Sequence, residues 1–329
     1  MNIPVFSITS ENDFTQASIK IFEYQAANNQ VYAKYLSYLG FNKTKVNTIS
    51  DIPFLPVSFF KTEKVVSYKT NPNREHMVFS SSGTTGMQTS RHYVYDISVY
   101  EQSFITGFTN FYGPAENLCI LALLPSYTER SGSSLVYMVD KLIQLSGCEQ
   151  SGYFLSNYPD LIQAVANARK LKKNILLLGV SFALLDLAEY VTSIDFSDVL
   201  IMETGGMKGR RKEMVRAELH EILKHAFNVK DIHSEYGMTE LLSQAYSKGN
   251  GIYNTQPWMK VLIRDIYDPF SYMRTGQSGG VNVIDLANYY SCSFIETQDI
   301  GKIISDKGDF IIEGRFDNSD IRGCNLLVS

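Results

Sequence analysis

The spacing of apolar positions divides the chain into a helical opening, an alternating middle and a β-rich end. Over the first forty residues Ile19, Phe22, Tyr24, Val31, Tyr32, Tyr35 and Leu39 recur at helical intervals. Asp13 or Thr15 is placed to cap this run and Gly40 to end it. Residues 52–61 carry Pro53 and Pro56, which fix φ and remove backbone donors, so a structured loop is expected there. From residue 77 the pattern alternates. Residues 77–80, 118–124, 174–179 and 199–203 are short apolar runs of the kind that form buried strands, and 230–234 is short and extended. Residues 134–145, 161–171, 182–190 and 212–226 have the spacing of amphipathic helices. This alternation predicts an α/β fold with a largely parallel sheet. After about Tyr246 the helical patterns fade, and 259–266, 280–285, 301–304 and 310–314 read as strands. The expected organisation is a helical and loop segment over 1–76, an α/β core over 77–250 and a β-rich portion over 251–329.

Composition narrows the function classes. The chain has 329 residues, 44% hydrophobic and 19% charged, which is ordinary for a globular protein with a large core. Thirty basic and 34 acidic residues give a net charge of −4. That balance provides no electrostatic footprint for nucleic acid, although it leaves room for a local basic pocket. The cysteines are Cys119, Cys148, Cys292 and Cys324, with no C-x-x-C pair. Zinc and thioredoxin-like readings are therefore poor, and reduced thiols in a cytoplasmic protein are expected. The first thirteen residues lack a basic, then apolar, leader pattern, so no signal peptide is expected. The most apolar run, 175–188, is interrupted by Asp186 and is shorter than the ~20 residues a bilayer requires. Integral membrane association is not expected.

The candidate chemistry begins at residues 79–86, Phe-Ser-Ser-Ser-Gly-Thr-Thr-Gly. Gly83 and Gly86 let backbone approach an anion, and the hydroxyls of Ser81, Ser82, Thr84 and Thr85 donate hydrogen bonds to it. No Gly-Lys-Ser/Thr ends the segment, so it is not a Walker A loop. The same composition also suits a plain surface turn. Four further segments stand in order behind it: Glu203-Thr204-Gly205-Gly206-Met207-Lys208, Ser234-Glu235-Tyr236-Gly237-Met238-Thr239-Glu240, Thr297-Gln298-Asp299-Ile300-Gly301 and Gly314-Arg315-Phe316-Asp317. Each alone is weak.

Together, in this order, the five segments resemble those of the adenylate-forming superfamily of acyl-CoA synthetases, luciferases and adenylation domains. The resemblance implies its N-terminal-domain fold of stacked, mostly parallel sheets flanked by helices. It also implies ATP and Mg²⁺. In that pattern Ser81, Ser82, Gly83, Thr84, Thr85 and Gly86 hold phosphates, Gly205 and Gly206 line the adenine pocket, and Tyr236, followed by Gly237, lays its ring on the base. Thr239 bonds the α-phosphate region, Glu240 ligates Mg²⁺, Asp299 takes the ribose hydroxyls, and Arg315 contacts ribose or phosphate.

Within the superfamily the chain is most similar to the LuxE-type acyl-protein synthetases. Leu55-Pro56-Val57-Ser58-Phe59-Phe60-Lys61 resembles that family's Leu-Pro-x-x-x-Phe-Lys segment, and Arg322-Gly323-Cys324-Asn325-Leu326 its ending. The resemblance implies that the superfamily's lid domain and its lysine are absent. It also implies a fatty acid substrate, acylation of Cys324 as a thioester, and an acyl reductase as partner. Arg322 beside Cys324 favours the thiolate. The acyl pocket is expected around residues 123–134, with Pro125, Ser126 and Tyr127 following a strand. The trailing loop lysine is also absent, since Met87-Gln88-Thr89-Ser90-Arg91-His92 follows Gly86. Arg91 or His92 are candidate charges, or else surface residues, and Lys61, Lys208 or Arg315 are candidate replacements for the lysines. Transfer to coenzyme A, as in phenylacetate-CoA ligases, and a non-catalytic nucleotide-binding subunit are the alternatives.

Overall fold

A computed structural model describes residues 4–42, 45–67, 76–81, 88–125, 132–155, 157–191, 194–205, 211 and 214–316. The opening run is two helices rather than one, α1 (Glu11–Asn28) and α2 (Gln30–Tyr38). The cap is Ser10, not Asp13 or Thr15: its hydroxyl accepts from the Asp13 amide. Asn29 makes the break, because its backbone is extended and its side chain accepts from the Tyr32 amide to start the second helix. Next come β1 (Leu55–Pro56), α3 (Phe59–Thr62), β2 (Met77–Ser80) and β3 (Arg91–Val94). A helix with no counterpart in the sequence reading, α4 (Ile97–Tyr112), buries Tyr100, Phe104 and Phe108 along one face.

The alternating middle is β4 (Leu118–Leu123), α5 (Ser134–Ser146), β5 (Gly152–Tyr153), α6 (Tyr158–Lys170), β6 (Asn174–Val180), α7 (Ser181–Tyr190), β7 (Val199–Thr204), α8 (Arg216–Phe227) and β8 (His233–Tyr236). Helix α8 starts at Arg216 rather than 212, because Val215 is already extended. The β-rich end is β9 (Ala245–Ser247), β10 (Tyr253–Asn254), β11 (Met259–Arg264), β12 (Gly279–Asp285), β13 (Phe294–Ile303) and β14 (Phe310–Arg315).

Among the described residues, twelve strands form one mixed sheet, ordered β11-β12-β13-β14-β10-β9-β8-β7-β6-β4-β5, with β1 beside β13. Strands β5, β4, β6, β7 and β8 are parallel to their neighbours in that stretch, as their apolar runs and intervening helices require. The path turns antiparallel at β8–β9 and remains so to β11. Strands β2 and β3 form a separate hairpin. No helix of the described residues is long and apolar enough to cross a membrane.

The N-terminal helices grip the turn between β12 and β13 through buried amides. Gln25 Nε2 lies 3.2, 3.1 and 3.2 Å from Asn288 O, Tyr289 O and Ser293 Oγ, and its Oε1 accepts from Ser293 N at 3.0 Å. Asn29 Nδ2 donates to Ser291 O at 3.0 Å. Replacing Gln25 with Ala strips partners from several buried backbone groups. The expected cost is about 1–3 kcal/mol, measured as a lowered urea midpoint with an unchanged slope.

Candidate functional site

The site begins where the β2–β3 hairpin opens. The two strands pair from Met77 opposite Val94 to Ser80 opposite Arg91. The pairing extends one step further: Ser81 N donates to Ser90 O at 3.1 Å, and Ser90 N donates to Ser81 Oγ at 2.9 Å. Ser81 and Ser90 therefore close the base of segment 82–89. Ser82, Gly83, Thr84, Thr85 and Gly86 lie outside the described residues, as do Gly206, Lys208, Ser126, Tyr127 and Cys324.

Opposite this base stands the loop that leaves β8. Gly237 is exposed, and a Cβ on it would meet Glu235 Oε1 at 2.4 Å, so a larger residue there would displace the Glu235 carboxylate. Thr239 is half-buried and Glu240 is buried. Burial raises the Glu240 carboxyl above its ordinary range, opposed by a hydrogen bond from Ser90 and by the charges of Arg315 and Lys61. The charges of Lys61 and Arg315 thus bear on the carboxyl beside the loop base. Lys61 reaches this place because β1 runs parallel to β13, with Leu55 opposite Ile295.

The loop backbone is held by side chains from elsewhere. His92 Nδ1 lies 2.8 Å from Thr239 O, and Asn288 Nδ2 donates to Glu240 O at 2.7 Å. Asp285 accepts from Leu242 N at 2.7 Å, Ser243 N at 3.0 Å and Ser243 Oγ at 2.6 Å. The sequence reading assigned none of these roles to Ser90, His92, Asp285 or Asn288. One signal was present: Asp285 caps a 3-10 turn, Leu286–Asn288, directly after a strand. His92 is not a charge source, because burial pushes its pKa down to about 4 and leaves it neutral. Arg91 is exposed.

A second cluster lies along β7, β8, β13 and β14. Thr204 stands opposite Glu235 in the parallel register, which carries Gly205, at φ +72°, level with Tyr236. Tyr236 is buried edge-on against Tyr253 and Phe310 at 5.9 Å, and its hydroxyl donates to Asp299 Oδ2 at 2.7 Å. Asp299 sits directly opposite Arg315, with Arg315 Nε 3.9 Å from Asp299 Oδ1. Burial raises the Asp299 carboxyl, while Tyr236 and the charges of Arg315, Arg216 and Arg264 oppose it. Behind Gly205, Glu203 receives Arg216 Nε at 3.1 Å, and Ser181 Oγ donates to Gly205 O at 3.0 Å. Cys119 and Cys292 are buried, and burial pushes both thiols up to about 12, so neither is a nucleophile.

The arrangement offers aromatic and glycine surface beside a carboxylate–arginine pair. Next to it Ser81 and Ser90 close the hairpin beside the buried Glu240 carboxyl, on which the charges of Lys61 and Arg315 bear. Glu240 offers carboxyl oxygens, and His92 turns its ring nitrogens to Thr239 O and Asn288 Oδ1 rather than to the site. Such a set suits a hard cation whose remaining ligands are phosphate and water. Among the described residues no three His, Cys, Asp or Glu side chains cluster as a metal site.

This fold is that of the adenylate-forming enzymes. An open 2-hydroxyisobutyryl-CoA ligase in complex with 2-HIB-AMP and CoA superposes with TM-score 0.66 at 11% identity, covering 94% of this chain and 75% of that one. The same ligase in its postadenylation state with R3-HIB-AMP gives 0.67 at 11%, over 93% and 68%. ATP-bound MatB from Rhodopseudomonas palustris gives 0.53 at 18%, over 72% of this chain and 47% of that one. At these identities the likeness is one of fold. The chain belongs to the LuxE family of acyl-protein synthetases, whose family model matches residues 10–329. No curated protein matches it.

Burial pushes the Asp285 carboxyl up to about 6 from 3.8, against the hydrogen bonds of Ser243 and the Leu242, Ser243 and Ala287 amides. A raised folded-state pKa means the folded chain holds the proton more tightly. The stability this contributes is present below pH 3.8 and is lost as pH rises towards 6. The expected loss is about 3 kcal/mol. Urea midpoints of wild type and Asp285→Asn between pH 4 and 7 check this, with wild type losing more across that window. Parallel profiles would show Asp285 ionised throughout.

Proposed function

We propose that this chain activates a carboxylic acid with ATP as an acyl-adenylate and takes the acyl group as a thioester on Cys324. The observation that carries the reading is that the Thr239–Glu240 loop is held beside the Ser81–Ser90 loop base, through His92 on Thr239 O and Asn288 on Glu240 O, with the charges of Lys61 and Arg315 bearing on the Glu240 carboxyl. Segment 82–86 then holds the β- and γ-phosphates from the hairpin end. Tyr236, Gly205 and Gly206 face adenine, with Gly237 keeping the turn open. Asp299 accepts the ribose hydroxyls and Arg315 braces ribose or phosphate. Thr239 bonds the α-phosphate. Glu240 would hold Mg²⁺, which neutralises phosphate charge when bound.

In the first step a carboxylate oxygen of the acid attacks the α-phosphorus. The acyl–phosphate bond forms, the α–β bridge breaks, and pyrophosphate leaves. The protein's part is alignment and fixed positive charge. In the second step the Cys324 thiolate, its proton lost to solvent, attacks the acyl carbon and AMP leaves with the bridging oxygen. A long-chain fatty acid fits this reading, since an apolar pocket around residues 123–134 gains about 0.8 kcal/mol per buried methylene. The stable thioester suits delivery to an acyl reductase partner.

Incubation with ATP and labelled fatty acid, followed by hydroxylamine, tests this. Wild type is expected to carry a hydroxylamine-labile label. Cys324→Ser is expected to lose the label and keep acid-dependent pyrophosphate exchange. Label retained on the serine variant removes Cys324 from the scheme, label delivered only to coenzyme A makes the chain a CoA ligase, and absence of exchange removes adenylation. Lys61 stands in for the missing loop lysine. Lys61→Met is therefore expected to raise the KM for ATP about tenfold, equivalent to ~1.4 kcal/mol, with Lys61→Arg close to wild type.

A further inference from the structure

His92 is fully buried on β3, two residues beyond Ser90. Side chains two apart on a strand share a face. Ser90 lies near enough to the Glu240 carboxyl to lower its pKa, and His92 meets the Thr239 carbonyl one residue earlier in the same loop. Strand β3 therefore fixes the loop backbone through His92, with Ser90 beside it near the Glu240 carboxyl. Asn288 provides a second point from a different element, on Glu240 O. His92 Nε2 lies 3.0 Å from Asn288 Oδ1, and Phe60 packs edge-on against the imidazole at 5.7 Å.

We propose that His92 and Asn288 are positioning residues, which together lock the Thr239 and Glu240 carbonyls and so hold this loop beside Ser81 and Ser90. The proton assignment identifies the working atom. The Thr239 carbonyl and the Asn288 amide oxygen both only accept, so the single proton of a neutral ring goes to one of them; we assign it to Nδ1, whose partner is the nearer at 2.8 Å against 3.0 Å. Asn288 commits its amide nitrogen to Glu240 O, so Nε2 of the neutral ring faces an oxygen and contributes little. The lock works through Nδ1–H, while Phe60 and Asn288 set the plane of the ring.

That asymmetry makes the proposal testable with nearly isosteric variants. In His92→Asn the amide nitrogen takes the place of Nδ1, whereas in His92→Gln it takes the place of Nε2. His92→Leu removes both. The Leu241 amide, bonded to Met238 O at 3.1 Å, reports loop order by hydrogen exchange without any substrate. Its protection is expected to stay near wild type in His92→Asn and to fall in His92→Gln, His92→Leu and Asn288→Ala. Only the catalytic half rests on the function proposed above. In that half, His92→Gln and His92→Leu are expected to lower kcat for pyrophosphate exchange about 10–100-fold, with KM for ATP changing less and His92→Asn recovering most of the rate. The effects of His92→Leu and Asn288→Ala are expected to be less than additive. Equal behaviour of the Asn and Gln variants in Leu241 protection overturns the lock and leaves His92 a packing residue. An inactive wild type with the Asn–Gln difference intact in hydrogen exchange overturns the proposed function and keeps the lock.

Discussion

The turn from Asp285 to Asn288 is the constraint on which the candidate site rests. Between β8 and β9 the backbone has no strand partner, and from Glu240 onward it is buried. Its amides and carbonyls must still be satisfied. Asp285 takes the amides of Leu242 and Ser243, and Asn288 takes the carbonyl of Glu240. The turn is in turn held from behind by Gln25 and Asn29. The first two helices are thus part of the site's architecture although no residue of theirs faces it.

Electrostatics divides the arginines near Asp299 into fixed and available. Arg216 is tied to Glu203 and Ile312 O, and Arg264 to Val281 O, Asn282 and Thr297 O. Arg315 is 64% exposed and 3.9 Å from Asp299. All three bear on the carboxylate, Arg315 most, and Arg315 alone is largely exposed. The chain's net charge of −4 hides this local excess.

Parts of the fold governed by local patterns were legible in the sequence. Strands β4, β6 and β7 carry the apolar runs 118–123, 175–180 and 199–202 because both faces of the parallel sheet are covered, and that requirement is visible residue by residue. The motif order likewise placed Tyr236, Glu240, Asp299 and Arg315 in one neighbourhood. What could not be read depends on partners far apart in sequence. His92 follows Thr89, Ser90 and Arg91 and looks like part of a polar surface. Strand β3 is only four residues long, too short for alternation to reveal that Arg91 points out and His92 points in. The Asp299–Arg315 register was hidden because an irregularity between Ile300 and Gly301 shifts the count across the hairpin. Asn29 was read as one polar residue inside a helix, whereas its buried amide ends one helix and begins the next.

Trp258, the chain's single tryptophan, is fully buried, and its indole nitrogen donates to Ser243 Oγ at 2.9 Å. That hydroxyl is also the donor to Asp285. The only indole chromophore therefore sits one bond from the clamp on the loop after Glu240. Intrinsic emission excited at the red edge comes from this position alone, so the protein carries a native optical probe of its own site.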